Sequence, residues 1–152
     1  MLSERFLPFF TWCGETWLGT TVRDTVWAFP VIETFHLLAL AVLLGSILIV
    51  NLRAFGIGAS QPRPDFSRWI TLSIIVLIAS GIPMMMSEPM KCYESVSFPI
   101  KIALLLIGIL WHYTVQRKWS LSATSSKAKL AAIISILIWA GIGIAGKGIP
   151  YV

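Results

Sequence analysis

The sequence predicts an all-α integral membrane protein, a four-helix up-down bundle with an N-terminal interfacial amphipathic segment. The 152-residue chain is 57% hydrophobic and only 12% charged, whereas about a quarter of the residues of a soluble domain are charged. The mean hydropathy is +0.81. The apolar residues form four long stretches, and one membrane helix needs roughly 20 such residues. This composition excludes a soluble enzyme and a disordered chain. The net charge of +5 is too small and too scattered to predict a nucleic-acid partner, so the predicted partner is the lipid bilayer.

The N-terminal segment, residues 1–26, is too polar to span a membrane. Its aromatic side chains are interrupted by charged residues, namely Glu4, Arg5, Glu15, Arg23 and Asp24. A segment of this kind lies in the plane of the membrane interface. We expect Gly14 and Gly19 to break it into two pieces.

The rest of the chain, residues 27–152, is expected to form the bundle. The predicted spans cover about 27–52, 68–87, 98–117 and 129–147. Short polar links between them make consecutive helices antiparallel neighbours.

The basic residues predict the orientation of the bundle. Seven of them lie in or beside the first and third links: Arg53, Arg63, Arg68, Arg117, Lys118, Lys127 and Lys129. Five lie on the opposite side: Arg5, Arg23, Lys91, Lys101 and Lys147. Lys and Arg favour the cytoplasmic side of a membrane. We therefore expect a multi-pass protein of the bacterial inner membrane with both termini in the periplasm.

Four ionisable residues lie inside the predicted spans: Glu33, His36, Lys101 and His112. Such residues are costly in a bilayer, so each is a candidate functional residue. Glu33 and His36 are three residues apart, hence on one helix face. The carboxylate could accept the Nδ1–H of the imidazole and orient a metal-binding ring. The alternative is a buried polar pair that holds two helices together.

Lys101 is predicted near the outer end of the third helix, roughly level with Glu33 and His36. It could bind a negatively charged group or pair with Glu33, or it could extend to the membrane interface as long basic side chains do. His112 is predicted deeper, and at 1.5 Å per residue the two histidines differ in height by roughly 10–15 Å. One haem held by both is therefore not expected. Each histidine has its own partner, or one of them is structural.

Methionines cluster where the second helix ends. Met84, Met86 and Met90, together with His36, could bind copper, because thioethers suit Cu(I). The alternative is ordinary apolar packing by flexible side chains.

Two cysteines, Cys13 and Cys92, are both predicted outside the bilayer, on the oxidising side. They could form a disulfide between the N-terminal segment and the second link. Two free thiols are the alternative.

Two stretches resemble known families. Phe29–Gly56 and Phe98–Trp119 resemble the first and third helices of uncharacterised bacterial four-helix integral membrane proteins. The arrangement is also similar to the small membrane-type, haem-containing protoporphyrinogen oxidase and, more distantly, to the membrane domain of copper-resistance protein D. The resemblance to the oxidase implies that His36 and Lys101 are the functionally important pair. The resemblance to the copper family implies a copper-handling option.

The leading hypothesis from these observations is a membrane protein that binds b-type haem, in electron transfer or haem-linked redox chemistry. His36 would be the axial ligand, oriented by Glu33, with Lys101 on a haem propionate and His112 as a second candidate ligand. Whether the protein is an enzyme stays open. One alternative is a non-catalytic accessory subunit of a larger membrane complex, or a homo-oligomer. The other is copper handling at the methionines.

Overall fold

The computed structural model describes residues 4–57, 66–116 and 125–147. A 3-10 turn over Glu4–Phe6 precedes α1 (Leu7–Glu15), α2 (Trp17–Asp24), α3 (Ala28–Ala54), α4 (Ser67–Ser87), α5 (Pro89–Glu94), α6 (Ser97–Trp111), a π-helical turn (His112–Gln116) and α7 (Ser126–Lys147). Helices α3, α4 and α7, and α6 with its π turn, are long and apolar enough to cross a membrane. The predicted all-α four-helix bundle is confirmed.

The four long helices pack in the order α4–α3–α7–α6. The core between them is a cluster of buried side chains: Ala39, Leu43 and Ile47 of α3, Ile70, Ile74 and Leu77 of α4, and Trp139 and Ile142 of α7. Spacings of three and four residues place each set on one face of its helix. Helix α3 therefore lies at the centre, between α4 and α7.

Helix α6 lies at the edge of this bundle. In the described part of the chain it makes extended backbone contact only with α7 and with its own π turn. Gly108 permits the contact with α7, because a Cβ there would lie 3.2 Å from Ile138 and 3.4 Å from Trp139. Small residues allow membrane helices to approach closely in this way. Side chains also join the π turn that follows α6 to α4, as in the 2.7 Å hydrogen bond between Thr71 and Tyr113.

Helices α1, α2 and α5 gather where α3 begins and α4 ends, and we call this the capped end of the bundle. Phe10 of α1 packs on Tyr93 of α5 and on Phe98 of α6, with ring centroids 5.8 and 6.1 Å apart. Cys92 is buried in the same group, and Met85 of α4 packs against it. We call these five residues the cap cluster.

The N-terminal segment forms two helices, as predicted, but the break between them falls at Thr16 and not at Gly14 or Gly19. The Thr16 hydroxyl accepts a hydrogen bond of 3.2 Å from the Gly19 N–H and begins α2, as N-cap residues do. The glycines serve close packing instead. A Cβ on Gly14 would lie 2.9 Å from Pro89, and one on Gly19 would lie 2.5 Å from the Met86 carbonyl oxygen.

Large aromatic side chains cover the outside of the N-terminal segment. The exposed ones are Phe6, Phe9, Trp12 and Trp17, and the exposed Trp27 follows directly after the segment. Aromatic rings are typical anchors at a membrane interface. This aromatic surface suits a position at the membrane interface, which stays a prediction for residues 1–26. Arg63, Arg117 and Lys118, which contribute to the predicted orientation, lie outside the described residues.

Candidate functional site

His36 is held by a hydrogen bond between α3 and α4. Its Nδ1 lies 2.8 Å from the hydroxyl oxygen of Ser80. That hydroxyl also lies 2.6 Å from the carbonyl oxygen of Val76, which can only accept. The Ser80 hydrogen therefore goes to Val76, and the Nδ1–H of His36 donates to Ser80. In a neutral imidazole the other nitrogen, Nε2, then carries the lone pair.

The hydrogen bond between His36 and Ser80 takes the place of the expected contact between Glu33 and the imidazole. Nδ1 has a single hydrogen, and Ser80 accepts it. The Glu33 side chain is exposed, whereas His36 is half-buried. The His36 ring is directed towards α4, so the shared helix face does not bring the carboxylate to Nδ1. The prediction that Glu33 orients the ring is thus corrected in favour of Ser80.

Gly81 leaves room beside the His36 ring. A Cβ built on Gly81 would have one neighbour within 4 Å, the Cε1 atom of His36 at 3.6 Å. Cε1 lies between the two ring nitrogens, so this contact places that edge of the imidazole beside Gly81. The absence of a side chain at residue 81 leaves room for this edge of the ring.

Lys101 joins His36 at the capped end. It lies in the second turn of α6 and is half-buried. Its ammonium group is near enough for its charge to act on both the His36 ring and the Cys92 thiol. Ion pairs join Arg23 to Asp24 and Lys91 to Glu88, and among the described residues Lys101 and Glu33 do not form one with each other. The expected pair between Lys101 and Glu33 is therefore not formed, and Lys101 can accept a negatively charged partner.

The two cysteines are free, buried thiols, which is the second of the predicted alternatives. Cys92 belongs to the cap cluster, whereas Cys13 lies outside it. Burial raises the pKa of Cys92 to about 11, although the nearby charge of Lys101 lowers it in part. Burial also raises the pKa of Cys13. Both thiols are therefore protonated at neutral pH, and a protonated thiol is a poor nucleophile and metal ligand.

His112 lies far from His36. It begins the π turn, is 7% exposed, and its ring packs on Tyr113 at 5.2 Å. Eleven residues separate it from Lys101, which corresponds to about 16 Å along the helix. Since Lys101 and His36 both lie near the capped end, the two histidines belong to opposite halves of the bundle. This agrees with the height difference predicted from the sequence.

The methionines at the end of α4 have unlike surroundings. Met84 and Met86 are half-buried and Met90 is exposed. Met85 packs in the cap cluster. Among the described residues, no group of three or more His, Cys, Asp or Glu side chains is placed to hold a metal ion.

Sequence reasoning missed Ser80 and Gly81. Both are small residues in a helix without charge, where such residues usually serve helix packing. One signal was available. Ser73 and Ser80 are seven residues apart, hence on one face of α4, and both are buried.

Comparison with known proteins gives one match. The model of a family described as "Family of unknown function (DUF6644)" matches residues 9–152. This range includes most of α1, the rest of the cap and all four long helices. No curated protein and no solved structure matches the chain.

Proposed function

We propose that this chain, which belongs to the DUF6644 family, binds b-type haem at His36 and acts in electron transfer or haem-linked redox chemistry. The observation that carries the proposal is the hydrogen bond from His36 to Ser80. A histidine that ligates a metal usually donates its other N–H to a fixed acceptor, which sets the tautomer and the ring direction. Ser80 supplies that acceptor and leaves Nε2 for the haem iron.

The surroundings of His36 suit a haem group. Gly81 leaves space beside the His36 ring, and α4 and α6 make no extended backbone contact in the described chain. Lys101 can pair with a haem propionate, since a cation and a carboxylate form strong hydrogen bonds. Haem would supply the redox-active iron, while the protein supplies the axial ligand and an apolar setting.

Two of the predicted cofactor residues lie outside this site. Glu33 is exposed, and Ser80, instead of Glu33, is the hydrogen-bond partner of the His36 Nδ1. His112 lies about 16 Å from Lys101 along the bundle. We therefore propose a haem with one protein ligand, His36, and a positioning role for Ser80. The resemblance to the haem-containing oxidase supports the pairing of His36 with Lys101 and leaves the reaction open.

The test is the absorption spectrum of the detergent-purified protein from haem-replete cells, oxidised and then reduced with dithionite. The expected result is a Soret band with sharp reduced α and β bands. His36→Ala should lose this spectrum, whereas His112→Ala, the matched control, should keep it. A His36→Ala protein fully loaded with haem, or a wild-type protein without any Soret band, would contradict the proposal.

An accessory subunit of a larger membrane complex is a second candidate, and α6 favours it. This helix is the least covered of the four, and much of its apolar surface is exposed: Ile100, Ile102, Leu106, Ile107 and Leu110. Co-purification with large partners and no cofactor would support this candidate. Metal analysis of the same sample tests copper at Met84, Met86 and Met90, which no observation favours.

The orientation is part of the proposal. With seven basic residues at one side and five at the other, we infer that the capped end faces the periplasm of a bacterial inner membrane. The site would then lie near the outer surface of that membrane.

A further inference from the structure

We propose that a pocket at the capped end binds a phospholipid head group that carries both a phosphate and a primary ammonium, as phosphatidylethanolamine does. The pocket is lined by residues of α1, α2 and α5 and by the last residue of α4, and its volume is about 420 Å³. Small-molecule sites commonly enclose about 300–1,000 Å³. None of its lining residues belongs to the proposed haem site, so the inference does not depend on haem.

The pocket lies at the depth of lipid head groups. Ser87, one of its lining residues, ends α4, and α4 is one of the four candidate membrane spans. The end of a span marks the boundary between the hydrocarbon and the head groups. Trp12 and Trp17, exposed on the same N-terminal segment, are typical of that level. A bilayer lipid can therefore place its head group in this pocket while its acyl chains stay in the hydrocarbon.

The charges around the pocket are balanced. Two basic and two acidic residues line it: Arg23, Lys91, Glu15 and Glu88. An anion alone would meet the two carboxylates, and a cation alone would meet the two basic groups. A zwitterion can place its phosphate on the basic groups and its ammonium on the acidic ones, and such charge-assisted hydrogen bonds are the strong ones. The lining thus selects a head group that carries both charges.

Arg23 is held in the wall of the pocket with donors to spare. Its Nη2 donates a hydrogen bond of 3.4 Å to the Gly14 carbonyl oxygen, and its Nη1 lies 3.9 Å from the position of a Cβ on Gly14. Its contact with Asp24 is long, at 3.8 Å between Nε and Oδ1. A guanidinium has five N–H donors, so several remain for phosphate oxygens.

The acidic side of the pocket includes a carboxylate that is not paired with a cation. Within the described part of the chain Glu15 forms no ion pair, whereas Glu88 lies 2.9 Å from the Lys91 ammonium. Glu15 can therefore accept hydrogen bonds from a primary ammonium. The described lining contains no aromatic side chain, and aromatic rings are what typically bind a quaternary ammonium such as choline. These two features favour ethanolamine over choline.

The experiment measures lipid binding to the delipidated, detergent-purified protein by native mass spectrometry. Phosphatidylethanolamine, phosphatidylcholine and phosphatidylglycerol with identical acyl chains are titrated in turn. We expect the first to bind about tenfold more tightly, because the second has no N–H to donate and the third has no ammonium. Equal occupancy by all three lipids would overturn the proposal. Soluble O-phosphoethanolamine that binds as tightly as the lipid would assign the pocket to a free zwitterion and overturn the lipid as its ligand.

Single variants assign the binding to this pocket. Arg23→Gln and Glu15→Gln should each weaken the binding of phosphatidylethanolamine by about tenfold, since each removes a charged hydrogen-bond partner. Arg5→Gln and Glu4→Gln are the matched controls, because both residues are exposed on the same segment and lie outside the pocket. If the pocket variants bind the lipid as the controls do, the lipid occupies another surface and the proposal fails.

A double variant, Glu15→Gln with Glu88→Gln, tests the selectivity. It leaves Arg23 and Lys91 in the lining without acidic neighbours, so the preference should change from phosphatidylethanolamine to phosphatidylglycerol. Loss of a merely structural contact would weaken all three lipids alike and leave their order unchanged. A double variant that still prefers phosphatidylethanolamine would show that the charges of the pocket do not select the head group.

Discussion

Ser80 shows how a small neutral side chain can prepare a histidine for a metal. Its hydrogen is bound by the Val76 carbonyl, so its oxygen is available to the Nδ1–H of His36. The bond fixes the tautomer of the imidazole and the direction of the ring. It also links α3 to α4 at the level of the proposed site.

The substitution Ser80→Ala should weaken haem binding while leaving the fold unchanged. Loss of such a supporting hydrogen bond typically costs about 10–100-fold in metal affinity. Titration of the haem-free protein with hemin measures the loss, and the midpoint potential of the bound haem should shift as well. Ser73→Ala is the control, because Ser73 is buried on the same face of α4. Equal affinities in the two variants would show that Ser80 does not position His36.

The sequence reveals the charged members of the site and hides the small ones. His36 and Lys101 stand out because ionisable residues are rare in membrane helices, and counting residues along the helices places them at one level. Ser80 and Gly81 give no comparable signal. The partner of Nδ1 depends on the direction of the ring, which the three-residue spacing of Glu33 and His36 does not specify.

At the scale of the helix, apolar length is a strong predictor. The spans predicted over 27–52, 68–87, 98–117 and 129–147 lie within a few residues of the observed helices, because bilayer thickness sets their length. The cap is harder to predict. Its break at Thr16 and the short helix α5 within the second link depend on packing between distant parts of the chain, where Gly14 contacts Pro89 and Gly19 contacts Met86.

Gly19→Ala tests the contact between α2 and α4. The added Cβ would lie 2.5 Å from the Met86 carbonyl and 2.7 Å from that of Cys13, so α2 must move. Overpacking of this kind typically costs about 1–3 kcal/mol. Thermal unfolding in detergent, followed by circular dichroism, should therefore show a lower midpoint. Gly143→Ala, with open space around the new methyl group, should leave the midpoint unchanged. A Gly19→Ala protein as stable as this control would show that α2 is not closely docked.

At the scale of the whole molecule, the up-down order of the helices follows from the short links, and the sequence predicts it. The peripheral position of α6 does not follow from the sequence. Helix α6 is as apolar as its neighbours, and its pattern of apolar residues does not show which helix it packs against. Gly108 decides which helix α6 approaches, since it admits Ile138 and Trp139 of α7. A glycine in an apolar run does not by itself identify that partner.

The orientation of the molecule is tested by fusions to its C-terminus. Alkaline phosphatase is active only after export, and green fluorescent protein fluoresces when it remains in the cytoplasm. Because basic residues favour the cytoplasmic side, we expect an active phosphatase fusion and a dark fluorescent one. Replacing Lys127 and Lys129 by Gln should weaken this preference. The opposite pattern in the unmodified chain would place both termini in the cytoplasm.

The distribution of the core residues has a consequence for biosynthesis. Six of the eight residues of the core cluster belong to α3 and α4, which leave the ribosome before α6 and α7 do. Most of the core can therefore assemble as a helical hairpin while the second half of the chain is still being made. Trp139 and Ile142 of α7 complete it later, and α6 enters the bundle through its contact with α7. Helix α7, which is synthesised after the other three long helices, thus joins the two halves of the bundle.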